Sequence, residues 1–165
     1  MNKWNIDYFD GEDVVLEEDE CGRNVAALIF SVANCTIDIK SKVQNVNISN
    51  SKNVKLVIHD AVVTYVECAS CENLTIDARG PLKMINADRC KKLEVIVNER
   101  SRGCKVQSIG TKDIGMTANR IHKSDFIDKK FENNETIRFP VTEIYQIGFA
   151  EGDDKLVYEA MENME

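Results

Sequence analysis

Cys35-Thr36-Ile37-Asp38-Ile39, Val54-Lys55-Leu56-Val57-Ile58 and Leu74-Thr75-Ile76-Asp77-Ala78 repeat one short pattern, in which the first, third and usually fifth residues are apolar. Such alternation places those residues on one face of a β-strand. The pattern continues in Leu93-Glu94-Val95-Ile96-Val97 and Ile114-Gly115-Met116-Thr117-Ala118, and a degenerate first copy is Val14-Val15-Leu16-Glu17-Glu18. The copies begin at 14, 35, 54, 74, 93 and 114, a repeat of 19 to 21 residues. A second alternating pair precedes each later copy: Ala27 and Ile29, Val46 and Ile48, Val66 and Cys68, Ile85 and Ala87, Val106 and Ser108. Polar corners such as Ser49-Asn50-Ser51-Lys52-Asn53 join the two segments of each unit.

A repeat of this length with two strands and no helical period has few solutions. A β-propeller blade needs about twice as many residues. A leucine-rich repeat is set aside because its leucine signature and asparagine ladder are not apparent in these turns. Winding each turn on the last, about 4.8 Å higher, pairs every strand with its counterpart one unit on and stacks the apolar residues in columns. The sequence therefore predicts an all-β, right-handed parallel β-helix of about six turns. One expected column is Val14, Cys35, Val54, Leu74, Leu93 and Ile114; the next is Leu16, Ile37, Leu56, Ile76, Val95 and Met116.

The 165 residues suffice for one domain with its own core, and an apolar fraction of 43% fits a globular chain. The expected organisation is a single domain over 1–165: a β-helix with an N-terminal cap over 1–120, a connecting loop over 121–138, and a hairpin and tail over 139–165. Trp4, Ile6, Tyr8 and Phe9 are the expected cover of the first turn, whose strand edge would otherwise be a template for aggregation. The hairpin is read from Phe139-Pro140-Val141, Ile144-Tyr145-Gln146-Ile147 and Lys155-Leu156-Val157-Tyr158 around a Gly-Asp-Asp turn signal. A net charge of −7 argues against a nucleic-acid partner. There is no apolar run long enough to span a membrane and no secretory pattern at the start, so the expected location is the cytoplasm.

Of six cysteines, Cys68 and Cys71 form a CxxC pair. A zinc site wants a second pair or suitably spaced histidines, and only His59 and His122 are present. A redox site wants a helix start after the second cysteine, whereas Glu72-Asn73-Leu74-Thr75-Ile76 reads as a strand. Buried, reduced thiols are the better account. Cys71 and Cys90 share a corner column, where a disulfide is geometrically allowed but not expected in the cytosol. No catalytic residues, metal or cofactor are assigned.

The repeat, together with Lys3-Trp4, Val32-Ala33-Asn34-Cys35-Thr36-Ile37-Asp38-Ile39-Lys40, Ser51-Lys52-Asn53-Val54-Lys55-Leu56-Val57 and the late Phe139-Pro140-Val141 followed by Lys155-Leu156-Val157, resembles the C-terminal actin-binding domain of cyclase-associated protein, in a short single-domain form. The resemblance implies a β-helix that dimerises by exchanging its C-terminal hairpin. It implies binding to monomeric actin with preference for the ADP form, acceleration of ADP-to-ATP exchange, and association with the cytoskeleton. The acidic tail Glu159-Ala160-Met161-Glu162-Asn163-Met164-Glu165 and a longer loop before Phe139 depart from the family pattern.

An exchange factor needs no acid, base or nucleophile of its own; it needs to bind one state of its partner more tightly. The outward positions of the repeated strand supply the expected actin contacts: Lys40, Lys55, Val57, His59, Arg79 and Ile96, with Lys155 from the hairpin. Val57 and Ile96 are apolar where water is expected, although His59 by itself reads as an ordinary surface histidine. The expected dimer contacts are Phe139, Val141, Ile144, Tyr145, Ile147, Leu156, Val157 and Tyr158. Alternatives are a passive sequestering protein and a tubulin-cofactor-like β-helix that stimulates GTP hydrolysis. The latter works through an arginine finger, and Gln44-Asn45-Val46-Asn47-Ile48-Ser49 holds no arginine. A carbohydrate-active β-helix enzyme would want clustered carboxylates in a groove, whereas Asp38 and Asp77 are separated by Val57.

Overall fold

Alternating apolar residues at a spacing of one turn make strands that bury their sides only when stacked, and the structure stacks them. The computed structural model describes residues 2–17 and 24–118, together with the backbone of Tyr145–Phe149 and Leu156–Ala160. In chain order the strands are β1 (Asn2–Asp7), β2 (Val14–Leu16), β3 (Val25–Phe30), β4 (Ala33–Ile39), β5 (Asn45–Ser49), β6 (Lys52–Ile58), β7 (Val66–Ala69), β8 (Glu72–Ala78), β9 (Met84–Asp88), β10 (Lys91–Val97), β11 (Lys105–Ile109), β12 (Ile114–Ala118), β13 (Tyr145–Phe149) and β14 (Leu156–Ala160). Odd-numbered strands through β11 form sheet A in parallel order, and β2 through β12 form sheet B. One strand from each sheet makes a turn, which gives the six turns of a parallel β-helix.

The core runs along the helix axis between the sheets. Ala27, Val46, Val66, Ile85 and Val106 stand in register, as do Ile29, Ile48, Cys68, Ala87 and Ser108. On the facing sheet, Cys35, Val54, Leu74, Leu93 and Ile114 form one column, and Ile37, Leu56, Ile76, Val95 and Met116 the next. All of these side chains are buried, each large aliphatic one contributing about 1.5–3 kcal/mol. The connections from sheet B back to sheet A close the third side, burying Val43, Val62, Leu82 and Cys104. Gly80 lies there because a Cβ would strike the backbone carbonyl of Asp60 on the turn before.

The first turn departs from the expected columns. Val14 stands opposite Ile37 and Leu16 opposite Ile39, so both belong one inward position further along than the sequence repeat placed them. The shift keeps apolar residues inward because inward positions recur every two residues. Trp4 and Ile6 are not a separate cover: they are the inward residues of β1, which pairs with β3 along its full length. Tyr8 and Phe9 remain exposed, with Tyr8 set edge to face against Phe30 of β3 and not over the core.

The corners hold a further correction. Ser31, Asn50, Ser70, Arg89 and Gly110 have positive φ at the first corner position, and Asn34, Asn53, Asn73 and Lys92 at the second. Asparagine tolerates this left-handed conformation better than most side chains. It also builds a ladder here. Asn73 Nδ2 donates to Asn53 Oδ1 at 3.0 Å, Asn53 Nδ2 to Asn34 Oδ1 at 2.8 Å, and Asn34 Nδ2 to Asp10 Oδ1 at 2.9 Å. An asparagine ladder, set aside on the sequence, is therefore present. It follows from stacking left-handed corners one turn apart and is not confined to leucine-rich repeats.

After the last turn, β13 lies antiparallel beside β11 of the same chain, with Ile147 opposite Val106 and Tyr145 opposite Ser108. β14 pairs antiparallel with β13, which gives the hairpin expected around the Gly-Asp-Asp turn signal. Phe139, Val141, Ile144, Lys155, the 121–138 loop, Cys21 and His122 lie outside the described residues.

Candidate partner-binding face

Sheet B presents three outward columns. The first is Thr36, Lys55, Thr75, Glu94 and Gly115; the second is Val15, Asp38, Val57, Asp77, Ile96 and Thr117. The third, at the strand ends, is Glu17, Lys40, His59, Arg79 and Asn98, held in step by backbone bonds such as His59 N–H to Ile39 O and Arg79 N–H to Ile58 O. Six of the seven expected contact residues, Lys40, Lys55, Val57, His59, Arg79 and Ile96, therefore share one face; Lys155 lies outside the described residues.

Register supplies what the sequence reading missed, a carboxylate for each basic group of the third column. Lys40 Nζ lies 3.0 Å from Glu17 Oε1, and His59 Nε2 lies 2.7 Å from Asp38 Oδ1. Arg79 donates from Nε and Nη2 to Asp77 Oδ2 at 3.1 and 3.0 Å. His59 is thus held by a partner and is not a freely turning surface ring. With basic groups a third to a half exposed, such pairs contribute about 0–1 kcal/mol each. They orient the basic groups while leaving them cheap to re-pair with a binding partner.

Val57 corrects another expectation. It points outward by parity yet is only 3% exposed. Its register neighbours are Asp38 and Asp77, which carry His59 and Arg79 on their far sides. The valine is thus buried at a position where parity alone implied an exposed contact. Ile96 is half-buried.

Beside the first column, a shallow groove of about 320 Å³ runs along the asparagine ladder and is lined by Asp13, Asn34, Thr36, Asn53, Lys55 and Asn73 among others. Asp13 Oδ1 accepts the Thr36 amide at 2.6 Å and ties the groove to the first turn. Lys55 is its basic side chain, which makes the groove continuous with the contact face.

The described thiols form no site for chemistry. Cys35, Cys68, Cys71, Cys90 and Cys104 are free and buried. Cys68 and Cys71 are pushed up by hydrogen bonding to Cys90 and then by burial, while those two bonds hold Cys90 down. Burial alone pushes Cys104 up to about 12. A strand, β8, follows Cys71, so the CxxC pair has no helix start beneath it. Among the described residues no group of three or more His, Cys, Asp or Glu is placed to hold a metal ion, and no helix is long and apolar enough to cross a membrane.

Comparison with known proteins gives one consistent result. The family model described as adenylate cyclase associated (CAP) C terminal matches residues 1–162. The adenylyl cyclase-associated protein of Schizosaccharomyces pombe is 30% identical over 105 residues, 63% of this chain and 18% of the relative. Human adenylyl cyclase-associated protein 2 is 29% identical over 115 residues, 69% of this chain and 24% of the relative. The chain thus spans about a quarter or less of the length of these curated relatives. A crystal structure of cyclase-associated protein from Cryptosporidium parvum superposes with a TM-score of 0.71, over 97% of this chain and 91% of that one, at 13% identity. At that identity the likeness speaks for the fold.

Proposed function

The chain belongs to the family of adenylate cyclase-associated protein C-terminal domains, and from that premise we propose that it binds monomeric actin, prefers the ADP-bound form and promotes exchange of ADP for ATP. The observation that carries the reading is the outer face of sheet B, where Lys40, His59 and Arg79 stand in one column, each already oriented by a carboxylate. A flat face of paired charges suits a folded partner with matching charges, since electrostatic complementarity fixes register and speeds encounter. Exchange then requires only that the actin conformation with an open nucleotide cleft be bound more tightly than the closed one.

The proposal includes a homodimer formed by exchange of the C-terminal hairpin. Within one chain β13 already uses the outer edge of β11. In an exchanged dimer β13 would take the same place on the β11 of the second copy, so the hydrogen bonds are kept and little but linker geometry separates the two forms. Phe139, Val141, Ile144, Tyr145, Ile147, Leu156, Val157 and Tyr158 are the proposed contacts.

Release of labelled ADP from actin, measured with and without the protein, tests the function. Accelerated release is the expected result. Binding with slowed release leaves a sequestering protein, and no binding overturns the reading. Sedimentation of a chain ended before Phe139 tests the dimer: the mass should halve, and an unchanged mass removes hairpin exchange.

A further inference from the structure

β1 is the terminal strand of sheet A: β3 pairs with one side of it, and none of the described strands pairs with the other. An open edge presents a row of backbone donors and acceptors, which proteins guard with charge or cover with another segment. Lys3, Asn5 and Asp7 alternate along β1 with Trp4 and Ile6, so the polar three share the outward face. On the next turn they stand opposite Ala26, Leu28 and Phe30, which offer neither charge a partner. Lys3 and Asp7 are exposed and join no ion pair among the described residues, although Lys40, Lys52, Arg79 and Arg89 are all paired on the later turns.

We propose that this edge pairs with a second copy of the chain, antiparallel, about a two-fold axis through Asn5. In that register Lys3 stands opposite Asp7 of the second copy and Trp4 opposite Ile6 of the second copy, and the two Asn5 side chains meet on the axis. Symmetry repeats each pair, so two opposite-charge contacts form at once. Residues two apart share a face, so this register keeps Trp4 and Ile6 inward and the charges outward. A slip of one residue sets Lys3 against Ile6 and Trp4 against Asn5, and a slip of two loses both charge pairs. Side chains directly opposite in an antiparallel pair lie within about 5.5 Å of one another at Cβ, close enough for these contacts. Six paired residues are too few to hold two proteins together. The same turn adds apolar surface: Tyr8 is 77% exposed and meets Phe30 edge to face at 5.7 Å, and Phe9 and Val15 are also exposed. This interface lies at the opposite end of the helix from the hairpin and is independent of the actin reading.

The test is sedimentation of the full chain over a concentration series at about 50 mM salt, where charge pairs are weakly screened. Lys3→Glu sets carboxylates against each other twice and should weaken the association step at least about tenfold. Lys3→Glu/Asp7→Lys restores both pairs with reversed sign and should return association to within about threefold of the original. In a Cys21→Ser background, where the remaining native thiols are buried, Asn5→Cys should yield a disulfide-linked pair of chains on mild oxidation that Cys21→Ser alone does not form. Wild-type protein with no such association step, an unaffected Lys3→Glu variant, or a double variant as weak as the single one would each overturn the proposal.

Discussion

Lys92→Asn should make this protein more stable, which is an unusual expectation for a substitution on a charged surface. Lys92 occupies the corner column of Asn34, Asn53 and Asn73 and shares their left-handed backbone, with φ of 58°. That conformation costs an ordinary side chain about 1–2 kcal/mol, of which asparagine recovers about 1 kcal/mol. The new Nδ2 would extend the ladder by one rung, toward Asn73 Oδ1, and a net contribution of about 0.5 kcal/mol suits so exposed a hydrogen bond. The sum, about 1.5 kcal/mol, raises the melting temperature by about 3–6 °C in a chain of this size. Scanning calorimetry measures it directly. Lys92→Ala keeps the strain and lacks the amide, so it should show no gain. Lys92→Gly relieves the strain but loosens the unfolded chain by about 0.4–1 kcal/mol, so it should fall between them. A Lys92→Asn variant no more stable than Lys92→Ala would refute both the strain and the ladder.

Other consequences are open to similar measurement. Leu56→Ala, at a fully buried position in the middle of its column, should cost about 3 kcal/mol and lower the urea midpoint without changing the slope. Arg79→Glu sets a second carboxylate against Asp77, whose side chain is only 15% exposed, so it should lower the melting temperature by about 2–4 °C; it should weaken actin binding at least about tenfold in a co-sedimentation or titration assay. Cys104 is pushed above its ordinary value by burial, to about 12, so the unfolded chain loses that proton first. Its contribution to stability is therefore complete below about pH 9 and is lost as the pH rises toward 12, and the loss should be missing from Cys104→Ala melts over that range.

Spacing made the β-helix legible. Apolar residues recurring every 19 to 21 positions placed five of the six strands on each face in correct register, because stacking identical turns leaves one arrangement that buries them all. The first turn escaped, since its two strands are joined to the next turn by a longer connection and the inward face accepts a shift of two residues without penalty. Asn34, Asn53 and Asn73 were visible as a repeat, one residue before each strand's first inward position. Their meaning was not, because a positive φ is a property of the corner and not of the residue. The contact face was legible only as parity. Parity names which residues point away from the core, but not that Val57, in register with Asp38 and Asp77, is nonetheless buried. It does not pair Lys40 with Glu17, which is a matter of cross-turn register over 23 positions.

The parallel stacking has a consequence for how the molecule yields. Each turn of sheets A and B is bonded only to the turn before and the turn after, so the structure behaves as a one-dimensional array whose ends fray while its middle holds. A partner lying across Lys40, His59 and Arg79 would span three consecutive turns and act as a clamp on that middle. It would slow the opening of those turns, while the terminal turns would go on fraying largely as before.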